Sequence, residues 1–248
     1  MLTVRLLGIC GSPRKTGNSR YLLERALEGA TKAAPELVDT DLYLLAGKQI
    51  APCIDCYRCR KLGDCATEDD FQELRDKWVA ADGIIYSVPV YHMGIPGQLK
   101  CFFDRLGHSL AVSTAGRVSR HWKTMGAVVQ GMHIFAGQEQ VMSGLINHAV
   151  LMGCLPVAGD PWESYIGVAA WTHKDSRKDS LLRLHGDGEA DVEAAVAAAE
   201  SLGKRLVQVT LVMKAGGVSH RQMLMDDGAF DGFLGRLPSG EQEDAEKG

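Results

Sequence analysis

Four of the seven cysteines form one compact motif, C-x2-C-x2-C-x5-C. They are Cys53, Cys56, Cys59 and Cys65. The C-x2-C-x2-C part matches the way in which one short loop ligates three corners of a [4Fe–4S] cubane, and Cys65 can supply the fourth thiolate. Four thiolates also suit tetrahedral zinc, although structural zinc sites usually use two pairs separated by a longer spacer. The motif predicts a [4Fe–4S] site, with zinc or redox-active or inert thiols as alternatives.

A second candidate site is the segment 11–19, GSPRKTGNS, which follows the apolar run 4–9. A strand, a Gly/Ser-rich turn and a helix together present free backbone N–H groups that bind phosphate. Neither GxxxxGK[ST] nor GxGxxG occurs here, so a triphosphate loop and a dinucleotide fingerprint are both unsupported. Ser12, Arg14, Asn18 and Ser19 are the candidate ligands of a single terminal phosphate. The alternative is an ordinary turn in which Asn18 or Ser19 only caps the helix.

The elements that must position these residues alternate along the chain. Apolar runs predict strands at 3–9, 37–45, 83–90, 124–129 and 154–158, and helical spacing predicts helices at 19–33, from 67 onward, and at 98–106, 139–152 and 190–207. This alternation is typical of an α/β protein with a parallel sheet. We predict a flavodoxin-like doubly wound fold with five parallel strands in the order 2-1-3-4-5 and a cysteine-rich loop after strand 2.

We predict a single domain with an insertion and a C-terminal extension. Residues 1–213 form the flavodoxin-like domain, which includes the cluster loop 51–66 and an insertion at 159–188. Residues 214–248 form a C-terminal extension whose polar end, GEQEDAEKG, is expected to be disordered. The apolar residues of the extension either cover a neighbouring subunit or pack on their own domain. They are Met223, Leu224, Phe230 and Phe233.

Three loops are predicted to meet at one edge of the sheet. In the order 2-1-3-4-5, the topological switch point lies between strands 1 and 3, where the direction in which strands are added to the sheet reverses, and ligands bind at the carboxyl ends there. The loops 11–19, 89–97 and 131–138 follow strands 1, 3 and 4. Together they could hold a flat ring above a phosphate.

The segments GSPRKTGNS, SVPVYHMGIPGQLKCFFDR and AGQE resemble the NADPH-dependent FMN reductase branch of the flavodoxin-like superfamily, over residues 3–158. The resemblance implies FMN, with its phosphate on Ser12, Arg14, Asn18 and Ser19. It implies that the isoalloxazine ring lies against the second loop and that two glycines of the third loop lie at the edge of the ring. These residues are Pro89, Val90, Tyr91, His92, Met93 and Gly94, with Gly131 and Gly137.

The cysteine motif together with these loops resembles the iron–sulfur flavoprotein family, whose compact motif has the same spacing. That resemblance implies that the four cysteines ligate a [4Fe–4S] cluster and that electrons pass between the cluster and FMN. It also implies ferredoxin or NAD(P)H as donor, a small acceptor such as oxygen, peroxide or a quinone-like compound, and a homodimer or homotetramer. No acid–base pair or nucleophile–base pair stands out, so no catalytic side chain is predicted and the chemistry centres on the cofactors.

Two other functions remain open at this point. One is an NAD(P)H-dependent FMN or quinone reductase with a zinc or thiol site in place of the cluster. The other is a flavin-free redox or metal sensor. The net charge of −4 over 248 residues gives no reason to expect nucleic acid, and no apolar run is long enough to span a membrane. Without an export signal at the N-terminus, we expect a reducing, cytoplasmic location.

Overall fold

The computed structural model describes residues 2–112, 120–160, 162 and 164–238. The predicted disorder concerns residues 240–248, which lie outside the described part. Among the helices of the described part, none is long and apolar enough to cross a membrane.

Within the described residues, six strands form one parallel sheet. They are β1 (Val4–Cys10), β2 (Val38–Leu44), β3 (Gly83–Pro89), β4 (Thr124–Gly131), β5 (Leu155–Pro156) and β6 (Val168–Trp171). The order β2-β1-β3-β4-β5 confirms the predicted topology. Because β1 pairs with both β2 and β3, the loops that follow these three strands leave from the same edge of the sheet.

The fifth position of the sheet is divided between two short strands. β5 pairs with the start of β4 (Thr124 with Leu155), and β6 pairs with its end (Val128 with Val168). The predicted strand 154–158 therefore shortens to Leu155 and Pro156, although the N–H of Val157 still donates to the carbonyl of Met125 (2.8 Å). The chain leaves the sheet and returns as β6, so the predicted insertion 159–188 supplies a strand beside the candidate site.

The described helices cover both faces of the sheet. They are α1 (Asn18–Ala33), α2 (Cys59–Leu62), α3 (Phe71–Ala80), α4 (Gly97–Val112), α5 (Gln138–Leu151), α6 (Ser180–Gly186), α7 (Ala190–Ser219), α8 (Arg221–Asp227) and α9 (Asp231–Leu234). One core lies between the sheet and α3, α4 and α5, and another lies between the sheet and α1 and α7. This two-sided cover is the doubly wound arrangement that the sequence predicts.

Helix α3 begins at Phe71, four residues later than the predicted start at Thr67. The carbonyl of Thr67 accepts hydrogen bonds from the side chains of Gln72 (2.9 Å) and Arg105 (2.6 Å). Asp69 accepts from the backbone N–H of Phe71, as in a local Asx-type turn. These side-chain bonds hold residues 67–70 outside the helix.

Two glycines bring α1 and α7 into backbone contact. A Cβ atom at Gly203 would lie 1.8 Å from the carbonyl oxygen of Ala26, and one at Gly29 would lie 2.1 Å from that of Glu200. Only residues without a side chain allow this approach. α7 is 30 residues long, so it continues beyond the predicted end at 207 and through the boundary drawn between residues 213 and 214.

The C-terminal extension packs against its own chain. Leu224, Phe230 and Phe233 are buried in a small core that includes Trp122, whereas Met223 is 61% exposed. Asp82 anchors this region, because its carboxylate accepts hydrogen bonds from Lys214 (2.7 Å) and Arg236 (3.2 Å).

Candidate active site

A cavity of about 260 Å³ lies at the carboxyl ends of β1, β3 and β4. Eight of the predicted flavin-binding residues line it: Ser12, Arg14, Asn18, Ser19, Pro89, Val90, Tyr91 and Gly131. Seven others line it that were not among the predicted flavin-binding residues: Gly17, Gln130, Met132, Thr172, Asp175, Ser176 and Arg177. The structure thus brings the three predicted loops together and adds a fourth wall, residues 172–177.

The first loop offers an open helix N-terminus to this cavity. In the part of the chain that the structure describes, no side chain caps α1, whose N-cap residue is Gly17 and whose first turn contains no acidic residue. The first N–H groups of a helix without a side-chain cap, at the positive end of its dipole, bind anions. The Ser12 hydroxyl accepts the backbone N–H of Arg14 (3.2 Å), which fixes the turn of the loop. This wall therefore has the chemistry of a phosphate site.

Asn18 is committed to contacts within the protein. Its side-chain nitrogen donates to the carbonyl of Arg177 (3.3 Å), and its side-chain oxygen accepts the backbone N–H of Leu181 (2.9 Å). Arg14 likewise donates to the carbonyl of Ser176 (3.3 Å). The first loop therefore holds the fourth wall in place. Periodicity could not reveal this partnership, because it joins residues about 160 positions apart.

The fourth wall carries a net positive charge. The carboxylate of Asp175 pairs with Arg177 (2.8 Å) and Arg183 (3.0 Å). Hydrogen bonds from the Arg177 side chain and backbone hold the pKa of Asp175 well below its usual range. Arg183 is shared with Asp179 (3.9 Å), so the excess positive charge of residues 172–177 comes from Lys174 and Arg177 against Asp175, and Arg14 adds a further positive charge in the cavity. An anionic ligand would be favoured in this cavity.

The second loop forms a tight hairpin. Tyr91 and Gly94 exchange two backbone hydrogen bonds of 2.9 Å, and the two residues between them, His92 and Met93, have φ values of 47° and 63°. Positive φ at both central positions usually requires Asn or Gly. Pro89, Val90 and Tyr91 line the 260 Å³ cavity, whereas His92, Met93 and Gly94 lie in or beside the turn and do not.

The third loop is fixed by Gln138. Its side chain donates to the carbonyls of His133 (2.8 Å) and Ala170 (3.3 Å), and accepts the backbone N–H of Ala136 (3.0 Å). Gly137 contacts the second loop, since a Cβ there would lie 2.7 Å from the Met93 sulfur. Met93 and Gly137 line a neighbouring open cavity of about 530 Å³, together with Ile134, Phe135 and Trp171.

All four motif cysteines line a separate, small cavity of about 20 Å³. They are free thiols: Cys59 is buried, Cys53 and Cys65 are half-buried and Cys56 is exposed. The surrounding backbone is unusual, since Asp55 and Tyr57, on either side of Cys56, have a φ of 54°. Left-handed residues next to right-handed ones, such as Arg58, form concave rows of N–H groups that surround anions and iron–sulfur sites.

The donor set of this cavity fits an iron–sulfur cluster, because thiolates are the ligands that such clusters take. Within the described residues, no group of three or more His, Cys, Asp or Glu side chains is drawn together around a point that could hold a single metal ion. The other cysteines differ in setting. Cys10 and Cys154 are buried in the core, and burial raises the pKa of each thiol to about 11.

Arg105 and Asp69 hold the two ends of the cysteine loop through hydrogen bonds. Arg105, on α4, donates to both oxygens of Asp69 (2.8 and 2.6 Å), to the carbonyl of Thr67 (2.6 Å) and to that of Ala51 (3.3 Å). Burial disfavours the Asp69 carboxylate, but hydrogen bonds from Arg105, Ala51 and Phe71 outweigh this and lower its pKa. Both ends of the loop are thereby tied to one side chain, which sequence reasoning missed.

Comparison with known proteins agrees with this geometry. The family model described as NADPH-dependent FMN reductase matches residues 4–162. An iron–sulfur flavoprotein of Methanocaldococcus jannaschii is 32% identical over 212 residues, which are 85% of this chain and 100% of the relative. The chain belongs to the NADPH-dependent FMN reductase family, among the iron–sulfur flavoproteins. A second such flavoprotein, of Methanosarcina thermophila, is 33% identical over 168 residues, which are 68% of this chain and 83% of the relative.

A solved structure shows the same fold at low sequence identity. An azoreductase from Bacillus anthracis superposes with a TM-score of 0.59 at 14% identity, covering 82% of this chain and 99% of that one. The predicted family and the flavodoxin-like fold are thus confirmed. As a family member, the chain is a flavin-dependent oxidoreductase.

Proposed function

We propose that this flavin-dependent oxidoreductase transfers electrons between a [4Fe–4S] cluster on the cysteine loop and FMN in the 260 Å³ cavity. The observation that carries the proposal is that one helix joins the two sites. α4 begins directly after the second flavin loop, and farther along it Arg105 and His108 line the cysteine cavity. At 1.5 Å per residue, the step from Gly97 to Arg105 spans about 12 Å.

In this proposal the FMN phosphate lies at the N-terminus of α1, where Ser12, Arg14 and Ser19 line the cavity and Asn18 positions the fourth wall. Ser176 and Arg177 face the same phosphate from that wall. The isoalloxazine ring lies against Pro89, Val90 and Tyr91, with Gly131 beside it. His92, Met93, Gly94 and Gly137 surround the outer edge of the ring, where the 530 Å³ cavity begins.

Cys53, Cys56, Cys59 and Cys65 would hold the cluster. When bound, FMN supplies both one- and two-electron chemistry, and a [4Fe–4S] cluster supplies one-electron transfer. The chain's own contribution is to bind and orient these groups. The backbone around Asp55 and Tyr57 holds the loop in conformations that cost of order 1–3 kcal/mol per residue and that concentrate at functional sites.

The proposed donors are ferredoxin or NAD(P)H, and the proposed acceptor is oxygen, peroxide or a quinone-like compound. The family description, NADPH-dependent FMN reductase, supports a nicotinamide donor. We also propose a homodimer or homotetramer in the cytoplasm. The open 530 Å³ cavity beside Met93 and Trp171 is the proposed entry for the small reactant.

The deciding experiment is anaerobic purification with iron, acid-labile sulfide, zinc and flavin measured on one sample. We expect FMN together with about four iron and four sulfide per chain. FMN with zinc, or without metal, would instead indicate a reductase with a zinc or thiol site, and no flavin would indicate a sensor.

The ligand assignment has a matched control in the same chain. Cys56→Ser should abolish or convert the cluster while FMN binding persists. Cys101→Ser removes a half-buried thiol outside the motif and should leave the iron and sulfide content unchanged. Equal iron content in both variants would overturn the assignment.

A further inference from the structure

Arg105 has an unusual position for a charged residue. Its side chain is only 1% exposed, it lines the cavity of the four cysteines, and its guanidinium carbon lies 4.2 Å from the centre of the Phe71 ring. Burial of a charge on this scale is costly unless the charge is paired. Asp69 supplies the pairing at 2.6 Å.

The terminal nitrogens of Arg105 have identifiable partners. Nη1 donates to Asp69 and to the carbonyl of Ala51, and Nη2 donates to the carbonyl of Thr67. Ala51 and Thr67 stand just outside the first and last motif cysteines. The guanidinium fork therefore fixes the separation between the two ends of the cysteine loop, a task that suits its rigid planar donor geometry.

The remaining donor, the Nε–H of Arg105, is buried and has no hydrogen-bond partner among the described residues. A buried donor without a partner costs about 1–3 kcal/mol, and an unsatisfied group in a native protein calls for a ligand or a functional reason. Arg105 lines the cysteine cavity. The thiolate sulfurs of this cavity, or the sulfide ions of a cluster, are hydrogen-bond acceptors.

We propose that the Arg105 Nε–H donates a hydrogen bond to a sulfur atom of the iron–sulfur centre and thereby raises the reduction potential of that centre. The proposal rests on the proposed function, in that it requires the cluster to bind at the four cysteines. Reduction adds one electron from the donor and breaks no covalent bond. The added negative charge is stabilised by the N–H dipole, because hydrogen bonds to sulfur are among the levers that set cluster potentials.

Arg105→Lys is the test variant. Lysine keeps the charge and can still pair with Asp69, but it has a methylene group where arginine has the Nε–H. The matched control is Arg75→Lys: Arg75 pairs with Asp64 of the same loop but does not line the cavity. Potentials are measured by redox titration of the anaerobic holoprotein, monitored by electron paramagnetic resonance of the reduced cluster.

We expect Arg105→Lys to bind four iron and to shift the reduction equilibrium about tenfold towards the oxidised cluster, a fall of about 59 mV for a one-electron couple. Arg75→Lys should match the wild type. Equal potentials in the wild type and Arg105→Lys, or an equal fall in both variants, would overturn the proposal. Absence of a cluster in the wild type would instead refute the proposed function.

A second measurement covers the case in which Arg105→Lys does not load iron. Wild-type protein labelled with 15N-arginine is reduced, and pulsed electron paramagnetic resonance is used to detect nitrogen coupled to the cluster spin. We expect the cluster spin to couple to an arginine 15N nucleus in the wild type, and we expect the same coupling in Arg75→Lys. A spectrum without 15N coupling in the wild type would refute the hydrogen bond.

Discussion

The backbone N–H of Leu181 donates a hydrogen bond of 2.9 Å to the side-chain oxygen of Asn18, 163 residues earlier in the chain. The same Asn18 amide donates to the carbonyl of Arg177. A residue that looks like a phosphate ligand by its place in the first loop is therefore occupied in holding the fourth wall of the cavity. Its contribution to flavin binding is expected to pass through that wall.

Asn18→Ala should weaken FMN binding by up to about thirtyfold, because loss of two hydrogen bonds worth about 1 kcal/mol each releases residues 176–181 from the phosphate cavity. FMN and riboflavin affinities are measured by fluorescence titration of the flavin-free protein. We expect riboflavin to be affected much less. Asn147→Ala, an exposed position on α5, serves as the control.

The positioning role has its own readout. In the flavin-free Asn18→Ala protein, trypsin should cleave after Arg177 or Lys178 faster than in the wild type, since the segment has lost its two tethers. A direct phosphate ligand would leave this rate unchanged. Equal cleavage rates in the variant and the wild type would therefore indicate that Asn18 is a direct phosphate ligand, as the sequence predicts.

Arg14→Ala should raise the dissociation constant of FMN at least tenfold and leave that of riboflavin nearly unchanged. A charge-assisted hydrogen bond contributes about 1.5–3 kcal/mol, and riboflavin has no phosphate to receive it. Lys15→Ala is a close control, because Lys15 has the same charge one residue later but does not line the cavity. If FMN and riboflavin weakened equally, the phosphate would not be at this wall.

Met93→Asn should stabilise the flavin-free protein by about 0.5–1 kcal/mol, because asparagine tolerates the positive φ of 63° that methionine adopts at a cost. Chemical denaturation measures the change. Met223→Asn provides the contrast: this exposed methionine lies in α8, where asparagine has the lower helix propensity, so a small loss is expected. A loss of stability at both positions would contradict the strain assigned to the hairpin.

Local sequence patterns predicted the loops that the structure brings together at the candidate site. The first loop, the second loop as far as Tyr91 and the cysteine motif were each visible as residue types at fixed spacing, and the strand order placed them at one edge. The contacts of Arg177 with Asn18 and of Arg105 with Asp69 could not be predicted, because the partners are distant in the chain. The spacing of apolar residues along the chain carries no information about contacts between such distant residues.

The boundaries of the strands and helices also depended partly on contacts that local sequence patterns do not show. The divided fifth strand depends on how β5 and β6 share β4. The part of α7 beyond residue 207 contacts Thr124, Asp82 and Phe233 through Thr210, Lys214 and Gly217. Both are set by tertiary packing, which overrides local propensity. The late start of α3 also results from a distant arginine, since Arg105 holds the carbonyl of Thr67.

Gly203→Ala should destabilise the protein by about 3 kcal/mol, because the new methyl group would overlap the carbonyl oxygen of Ala26 and force α1 and α7 apart. Gly216→Ala is the control in the same helix, where a Cβ would meet no atom of the described residues within 4 Å. That change should stabilise α7 by up to about 1 kcal/mol through helix propensity. Similar losses at both positions in urea denaturation would show that the helices do not approach as closely as described.

His121→Phe should flatten the acid dependence of stability. His121 is 5% exposed, neither of its ring nitrogens has a hydrogen-bond partner among the described residues, and it lies edge-on to Trp78 at 5.0 Å. Burial, reinforced by the positive charges of Lys123 and Arg236, lowers its pKa to about 3. Since histidine in the unfolded chain titrates near 6.5, the unfolded state alone binds this proton between about pH 3 and 6.5.

Stability from this residue is consequently complete above pH 6.5 and is lost as the pH falls towards 3. The slope is up to about 1.4 kcal/mol per pH unit, or about 2 kcal/mol between pH 6.5 and 5. Phenylalanine can pack on Trp78 without taking up a proton, so the variant should lack this part of the loss. Free energies of unfolding from urea titrations at pH 5.0, 5.5, 6.0 and 6.5 measure the slope. The control is His220→Phe, at an exposed position, which should keep the wild-type dependence of stability on pH. If His121→Phe also kept that dependence, His121 would already be protonated in the folded protein.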